Sequence, residues 1–294
     1  MGSSFSAEVL KLRKRKASWV LVLVLILLVA VTGYAALYFS IQDTTPPGDL
    51  SAEEQQAFED SMSELNKEFL QVLLPKKVLV NVLSSLSRGG GIVALIFGAL
   101  AFGSEYSWGT LKTVLSRRPG KSKMFTGKVL AMLAYFAVFS VLVLVTGGIC
   151  SYFIAGLENE PVRWPSVWNT IKALGAGWLI FAVWGTLGAF LATLFRSSSL
   201  AIGLGLGYAI VIEQTAVSFS ASVQNNTFQS VLNALPGTNS TALAEAFGKV
   251  PEGFSTGVGE AIEPTQAVAV LGAYTVILVL FTVLLFWRRD VDGS

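Results

Sequence analysis

Histidine is missing from all 294 positions, and cysteine occurs once, at Cys150. Without histidine there is no His general base and no zinc site of the usual Cys and His type. A lone cysteine cannot close an internal disulfide, and a thiolate at Cys150, set in an apolar run, would be poorly solvated. Charge is scarce as well: 14% of the residues are charged, against roughly 25% in a typical soluble domain. The formal charge of +2 is too small for a nucleic-acid binder, and the basic residues sit in short segments beside apolar runs instead of on one extended face. Neither a GxxxxGK[ST] phosphate loop nor a GxGxxG turn after a strand occurs, so the chain lacks the means to hydrolyse ATP or bind a dinucleotide by itself. Any energy source has to lie elsewhere.

What is present is apolar length. Hydrophobic residues make up 53% of the chain, and they gather into runs at 17–39, 78–103, 125–155, 171–195, 200–219 and 267–287. At 1.5 Å per residue each run is about long enough to cross a ~30 Å hydrocarbon core. The fold class these runs predict is an all-α polytopic membrane protein, one transmembrane domain over 1–294 with six spanning helices. The first run follows Lys11, Arg13, Lys14, Arg15 and Lys16, which also resemble the basic region of a signal peptide. It is longer than the usual signal core, and Tyr34, Tyr38 and Phe39 stand where small residues would mark a cleavage site, so it reads as a retained first span.

Threading the runs from an internal N-terminus places both termini in the cytoplasm, together with the loop at 104–124 and the adjoining Lys128, Arg196, Arg288 and Arg289. That puts 14 of the 21 Lys and Arg residues inside, while eight acids fall in the first outer loop at 41–77. The positive-inside bias agrees with this threading. Within the outer loop, Pro46, Pro47 and Gly48 break the preceding helix, and Ser51 with Glu54 forms a capping box. Phe58, Met62, Leu65, Phe69 and Leu73 then recur at helical spacing among acids, which predicts an extra amphipathic helix outside the membrane; a solvated spacer is the alternative. Ser240–Phe254 is a further expected short outer helix, capped by Ser240 or Thr241, inside an outer or re-entrant region at 220–266.

Two charges interrupt apolar runs. Arg88, followed by Gly89, Gly90 and Gly91, faces the interface if the second span starts late, and lines a polar pathway or partner helix if it starts near Val78. Glu213 interrupts the fifth run. Glycines crowd the fourth and fifth runs at Gly175, Gly177, Gly185, Gly188, Gly203, Gly205 and Gly207, a spacing that allows close approach either within the chain or to a second copy. The connection at 220–266 carries two glycosylation sequons, at Asn225 and Asn239, which matter only in a glycosylating lumen.

The segment GSEYSWGTLKTVLSRRPGKSKMFTGK, Gly103 to Lys128, places six Lys or Arg residues between two membrane-length runs. Its pattern of Gly103, Glu105, Gly109, Thr110, Leu111, Leu115, Arg118 and Lys128, with the six-span layout around it, resembles the ABC exporter permeases of the second, ABC-2-like, type. The likeness covers nearly the whole chain. It implies a multi-pass protein of the inner (cytoplasmic) membrane, two permease subunits forming a homodimer, and a separate ABC ATPase dimer docked below them that carries ATP and Mg. It implies no cofactor on this chain. A coupling helix falls around Glu105 to Ser116, where Trp108 and Leu111 enter a cleft on the ATPase and Gly109 allows close backbone approach. Arg117, Arg118 and Lys128 then hold the element against an acidic protein surface or anionic lipid. Lipid anchoring with no protein partner is the competing reading of that loop. The long first outer loop departs from sugar exporters and leaves the cargo open, apolar walls suiting an amphipathic or lipid-like one. A mechanotransmitting subunit without cargo, or a six-span channel or secondary carrier, is the alternative.

Overall fold

The computed structural model describes residues 2–42, 51–107, 121–220, 226–248 and 262–288. Within them six helices are long and apolar enough to cross a membrane: Lys16–Gln42, Pro75–Ser104, Met124–Leu157, Val167–Phe195, Ser198–Phe219 and Pro264–Arg288, here spans one to six. The protein is an all-α, multi-pass membrane protein. Spans two and four form its centre, with 67% and 61% of their apolar windows buried, while span six, at 11%, lies on the periphery.

Glycine explains why those two spans are central. A side chain at Gly98 would run into the backbone carbonyl of Gly185, and one at Gly188 into the carbonyl of Leu95. Spans two and four therefore touch backbone to backbone, the contact that gains most from van der Waals packing where lipid supplies no hydrophobic force between helices. Phe136 of span three packs over the Gly185 gap, and Phe97, Phe136, Phe139 and Phe181 close the core with ring centroids 5.2 to 6.2 Å apart. The outer faces stay apolar and exposed: Val141, Val145 and Ile149 on span three and Val276, Leu280 and Leu284 on span six each repeat at i+4. Such stripes suit lipid contact.

Three turns of the spans are widened into π-helix, at Val31–Ala35, Leu86–Gly90 and Gly207–Glu213. A widened turn frees backbone polar groups that must find partners in hydrocarbon. In span one the partner is Asn81, whose amide donates to the Gly33 carbonyl at 2.8 Å. Beside it the buried Ser151 donates to the Tyr34 hydroxyl at 3.1 Å, tying spans one and three.

Before span one, residues Gly2–Lys14 form a helix of their own. It packs on the start of span three, where Tyr135 donates to the Val9 carbonyl at 3.4 Å, and Arg15 reaches the Leu100 carbonyl of span two at 3.0 Å. Between spans one and two, Ala52–Leu73 is helical from its capping box: the Ser51 hydroxyl accepts from the Glu54 amide, and the Glu54 carboxylate accepts from the Ser51 amide at 3.0 Å. Only its end is buried, at Val72 and Leu73, whereas Leu65 is exposed. Spans four and five meet in a tight turn, Arg196 taking a left-handed conformation (φ 54°) and Ser197 capping span five by accepting from the Leu200 amide at 3.3 Å.

The expected helix at Ser240–Phe254 is corrected. The helix runs Pro236–Glu245, so Ser240 and Thr241 lie inside it and donate to the carbonyls of Pro236 and Gly237. Proline is at home in the first turn, where its missing N–H leaves nothing unpaired. This helix is also not a surface element: it packs against spans two, four and six, burying Thr238, Asn239, Ser240 and Leu243. Asn239 is fully buried and donates to the carbonyls of Asn233 and Leu235 at 2.8 Å, which leaves no room for a sugar on that sequon. Asn225, and residues 249–254 of the expected helix, lie outside the described residues.

Candidate functional site

The two charges that interrupt apolar runs come together. Span two is continuous from Pro75, so Arg88 stands thirteen residues, about 20 Å, from its start. The late-start alternative, with Arg88 at the helix edge, does not hold. Arg88 occupies the widened turn Leu86–Gly90, and Glu213 ends the widened turn Gly207–Glu213 of span five. Both line one cavity of about 330 Å³, walled also by Trp184 of span four and by Thr238 and Thr241 of the Pro236–Glu245 helix.

Each wall has a local cause. At the amino end of the short helix the Gly237 amide has no carbonyl in its own helix to reach, and it donates to the Glu213 carboxylate at 3.1 Å. A side chain at Gly237 would occupy the place of that carboxylate. Tyr208 lies one turn earlier on span five. The Gly237 amide thus holds a carboxylate whose residue is only 6% exposed. Opposite, the Trp184 indole packs on Gly91, where a Cβ would come within 2.6 Å of the ring, and its ring centroid is 6.3 Å from that of Tyr208 at a tilt of 50°. Arg88 is accessible from the cavity, and the charge that acts on it is that of Glu245, at the far end of the short helix.

Two donors on this wall have nothing to donate to. The Trp184 Nε1 and Thr238 Oγ1 atoms are buried and make no hydrogen bond within the described residues. Buried polar atoms without partners are rare in folded proteins, and each costs about 1–3 kcal/mol. Arg88, Glu213 and Thr241 line one small space, and the two unpartnered donors are buried in its wall.

The coupling segment is placed only in part. Glu105 lies in the last turn of the helix Gly91–Ser107, and its side chain, with all of Trp108, Gly109, Thr110, Leu111, Leu115, Arg117 and Arg118, lies outside the described residues. Lys128 is described and is not a loop residue: it is 4% exposed, inside span three, with its ammonium 5.3 Å above the Phe102 ring of span two. It ties two spans together at the end that bears the loop.

Arg88 and Glu213 were legible because a charge in an apolar run is costly. Trp184, Tyr208, Gly237, Thr238 and Glu245 were not singled out. The available signal was Leu-Pro-Gly-Thr at 235–238, a proline set to open a helix, whose amino end then needs an acceptor. Among the described residues no group of three or more His, Cys, Asp or Glu side chains could hold a metal ion. A separate cavity of about 540 Å³ carries Lys76, Asn169 and Lys172 between spans two, four and six and the short helix.

No curated protein sequence matches the chain. The family model described as ABC-2 family transporter protein matches residues 3–291, nearly the whole length, and the chain belongs to that family.

Proposed function

We propose that this chain is the transmembrane permease subunit of an ATP-driven exporter of the inner (cytoplasmic) membrane. The family match over residues 3–291 carries the reading, because it joins a transporter family to a chain without a phosphate loop of its own. The chain then supplies the pathway and the coupling, and a separate ABC ATPase dimer supplies ATP, Mg and hydrolysis. Two permease copies sit above that dimer. Both termini and the loop at 104–124 face the cytosol, and the helix Ala52–Leu73 lies outside. Glu105 through Ser116 form the coupling element, with Arg117 and Arg118 steering it toward an acidic surface. Spans two and four touch backbone to backbone, so a cargo path runs between two copies or along their lipid faces, where an amphipathic or lipid-like molecule is at home. The same closed centre favours, as second reading, a subunit that transmits force without cargo; a channel through one chain fits it less well.

The test is assembly. Co-expressed with an ABC ATPase from the same genome and purified in mild detergent, the chain is expected to elute as a two-plus-two complex that hydrolyses ATP. Large side chains at Gly109, or charge reversal at Glu105, are expected to uncouple hydrolysis while insertion stays intact, since the apolar spans determine insertion. A chain that remains monomeric without a partner under all mild conditions sinks the exporter reading. A cysteine at Ser122 that reacts with an impermeant label from outside intact cells overturns the orientation.

A further inference from the structure

The cavity at which spans two, four and six begin is lined by charge of one sign. Its volume of about 540 Å³ lies within the usual range of ligand sites. Lys76, in the turn Pro75–Lys77 that opens span two, and Lys172, in the second turn of span four, both line it, as does Asn169, three residues before Lys172. All three residues are exposed, so a guest can reach them. Among the described residues no Asp or Glu lines the space, and neither lysine forms an ion pair. The Lys172 ammonium lies 5.5 Å from the centroid of the Trp168 ring, a contact that supplies no counter-ion.

A lone lysine near a span end is explained by snorkelling, its stem on apolar surface and its ammonium in water. Two that line one cavity from positions 96 residues apart, with no acid beside them, repel each other, and an anion between them removes the repulsion. The rest of the lining is apolar and lies deeper in the spans. Leu79 follows Lys76 by one turn, Leu179 stands seven residues, about 10 Å, beyond Lys172 along span four, and Val268 is one turn into span six. Leu243 of the Pro236–Glu245 helix adds to this apolar wall. Gly175 keeps the space open, since no heavy atom of the described residues comes within 4 Å of the place of its Cβ. The cavity is thus polar at the ends of the spans and apolar toward their middle, the order in which a membrane lipid is built. We propose that it binds an anionic phospholipid, with the phosphate ester against Lys76, Lys172 and Asn169 and an acyl chain along Leu79, Leu179 and Val268. A small soluble phosphate would meet the lysines and leave the apolar half unfilled. This site goes beyond the export reading and holds whether the lipid is cargo or a fixed companion of the fold.

The experiment titrates the full chain, purified in mild detergent and freed of lipid, with dioleoylphosphatidylglycerol and with dioleoylphosphatidylcholine, reading bound adducts by native mass spectrometry. The choline lipid has the same chains and phosphate but a cancelling positive charge, so the glycerol lipid is expected to bind more tightly. Lys76→Gln and Lys172→Gln are each expected to weaken glycerol-lipid binding about fivefold, the usual effect of one basic residue beside anionic lipid. Together they are expected to erase the preference over the choline lipid. Lys77→Gln removes the same charge one position along, outside the lining, and is expected to change nothing. Gly175→Phe fills the cavity from a position where a Cβ meets no packed atom, and is expected to abolish binding while thermal unfolding stays unchanged. Free glycerol phosphate, the head chemistry without the tails, is expected not to compete. Competition by it assigns the site to a soluble phosphate ester and overturns the lipid. Equal binding of the two lipids, no binding at all, an equal loss in Lys77→Gln, or unaltered binding in Gly175→Phe also overturns the proposal. None of these readouts involves the ATPase, so failure here is separable from failure of the exporter reading.

Discussion

Gly237 and Glu213 fix each other. The glycine amide donates to the carboxylate at 3.1 Å, and a methyl group at Gly237 would stand where the carboxylate stands. We predict that Gly237→Ala lowers stability by about 1–3 kcal/mol, the usual cost of overfilling a packed site. Because the clash is with one side chain, Glu213→Ala is expected to relieve it, and the double variant to cost less than the sum of the single ones. Thermal unfolding of the detergent-solubilised chain measures all three. Strict additivity would show that the two residues do not compete for the same space. The sequence around Gly237 marks a helix start that needs an acceptor but not which acceptor, since that is a side chain 24 positions away. Arg88 and Glu213, by contrast, stood out from the sequence because about 2.5–3.5 kcal/mol is the insertion cost of a charge such as arginine at mid-helix.

At the level of elements, local chemistry was readable where both partners are close in sequence. The Ser51–Glu54 capping box lies within one turn, and the helix Ala52–Leu73 begins there. The fully exposed Glu54 carboxyl is held below its ordinary value of 4.5 by hydrogen bonds, first from the Ser51 hydroxyl and then from the Ser51 amide. The folded state therefore binds the proton less well than the unfolded one. The stabilisation is complete above about 4.5 and is lost as pH falls through the lowered folded value. Hydrogen exchange in the first turn of this helix is expected to quicken several-fold, relative to the rest of the chain, between pH 6 and pH 3. Ser51→Ala is expected to remove most of that pH dependence; an unchanged profile would show that the box does not hold the helix start. The helix Gly2–Lys14 was not anticipated, because its basic residues drew the reading toward topology, while Phe5, Val9 and Leu12 were the apolar face that docks on the core. The helix placed at Ser240 was four residues late, since side-chain hydroxyls were taken as its cap while Pro236 opened it.

For the whole molecule, the glycine-rich spans divide into two surfaces. Gly185, Gly188 and Gly205 meet Phe136, the Leu95 carbonyl and the Leu95 side chain, whereas Gly175, Gly203 and Gly207 have no heavy atom of the described residues near the place of a Cβ. The first set packs the chain on itself, and the second is open. Gly188→Ala is expected to push span four off span two, costing about 1–3 kcal/mol. Gly203→Ala and Gly207→Ala are expected to leave the isolated chain as stable or up to about 1 kcal/mol more so, from helix propensity alone. If the open glycines receive a second copy, the same two variants lower the dimer fraction measured by light scattering in detergent. An unaltered dimer would assign that face to lipid.

The amino-acid sequence by itself determined the solvent, the number of spans and the absence of a phosphate loop, because apolar length and motif spacing are properties of contiguous residues. It determined as well that Arg88 and Glu213 would be costly where they stand. Tertiary structure alone decided that these two charges share one cavity, that Trp184 and Thr238 complete it, and that Lys128 is enclosed by spans two and three. The physical reason is that in lipid no hydrophobic force selects which helix faces meet. Close backbone approach at Gly98 and Gly188 makes that choice, and it unites residues more than a hundred positions apart in sequence.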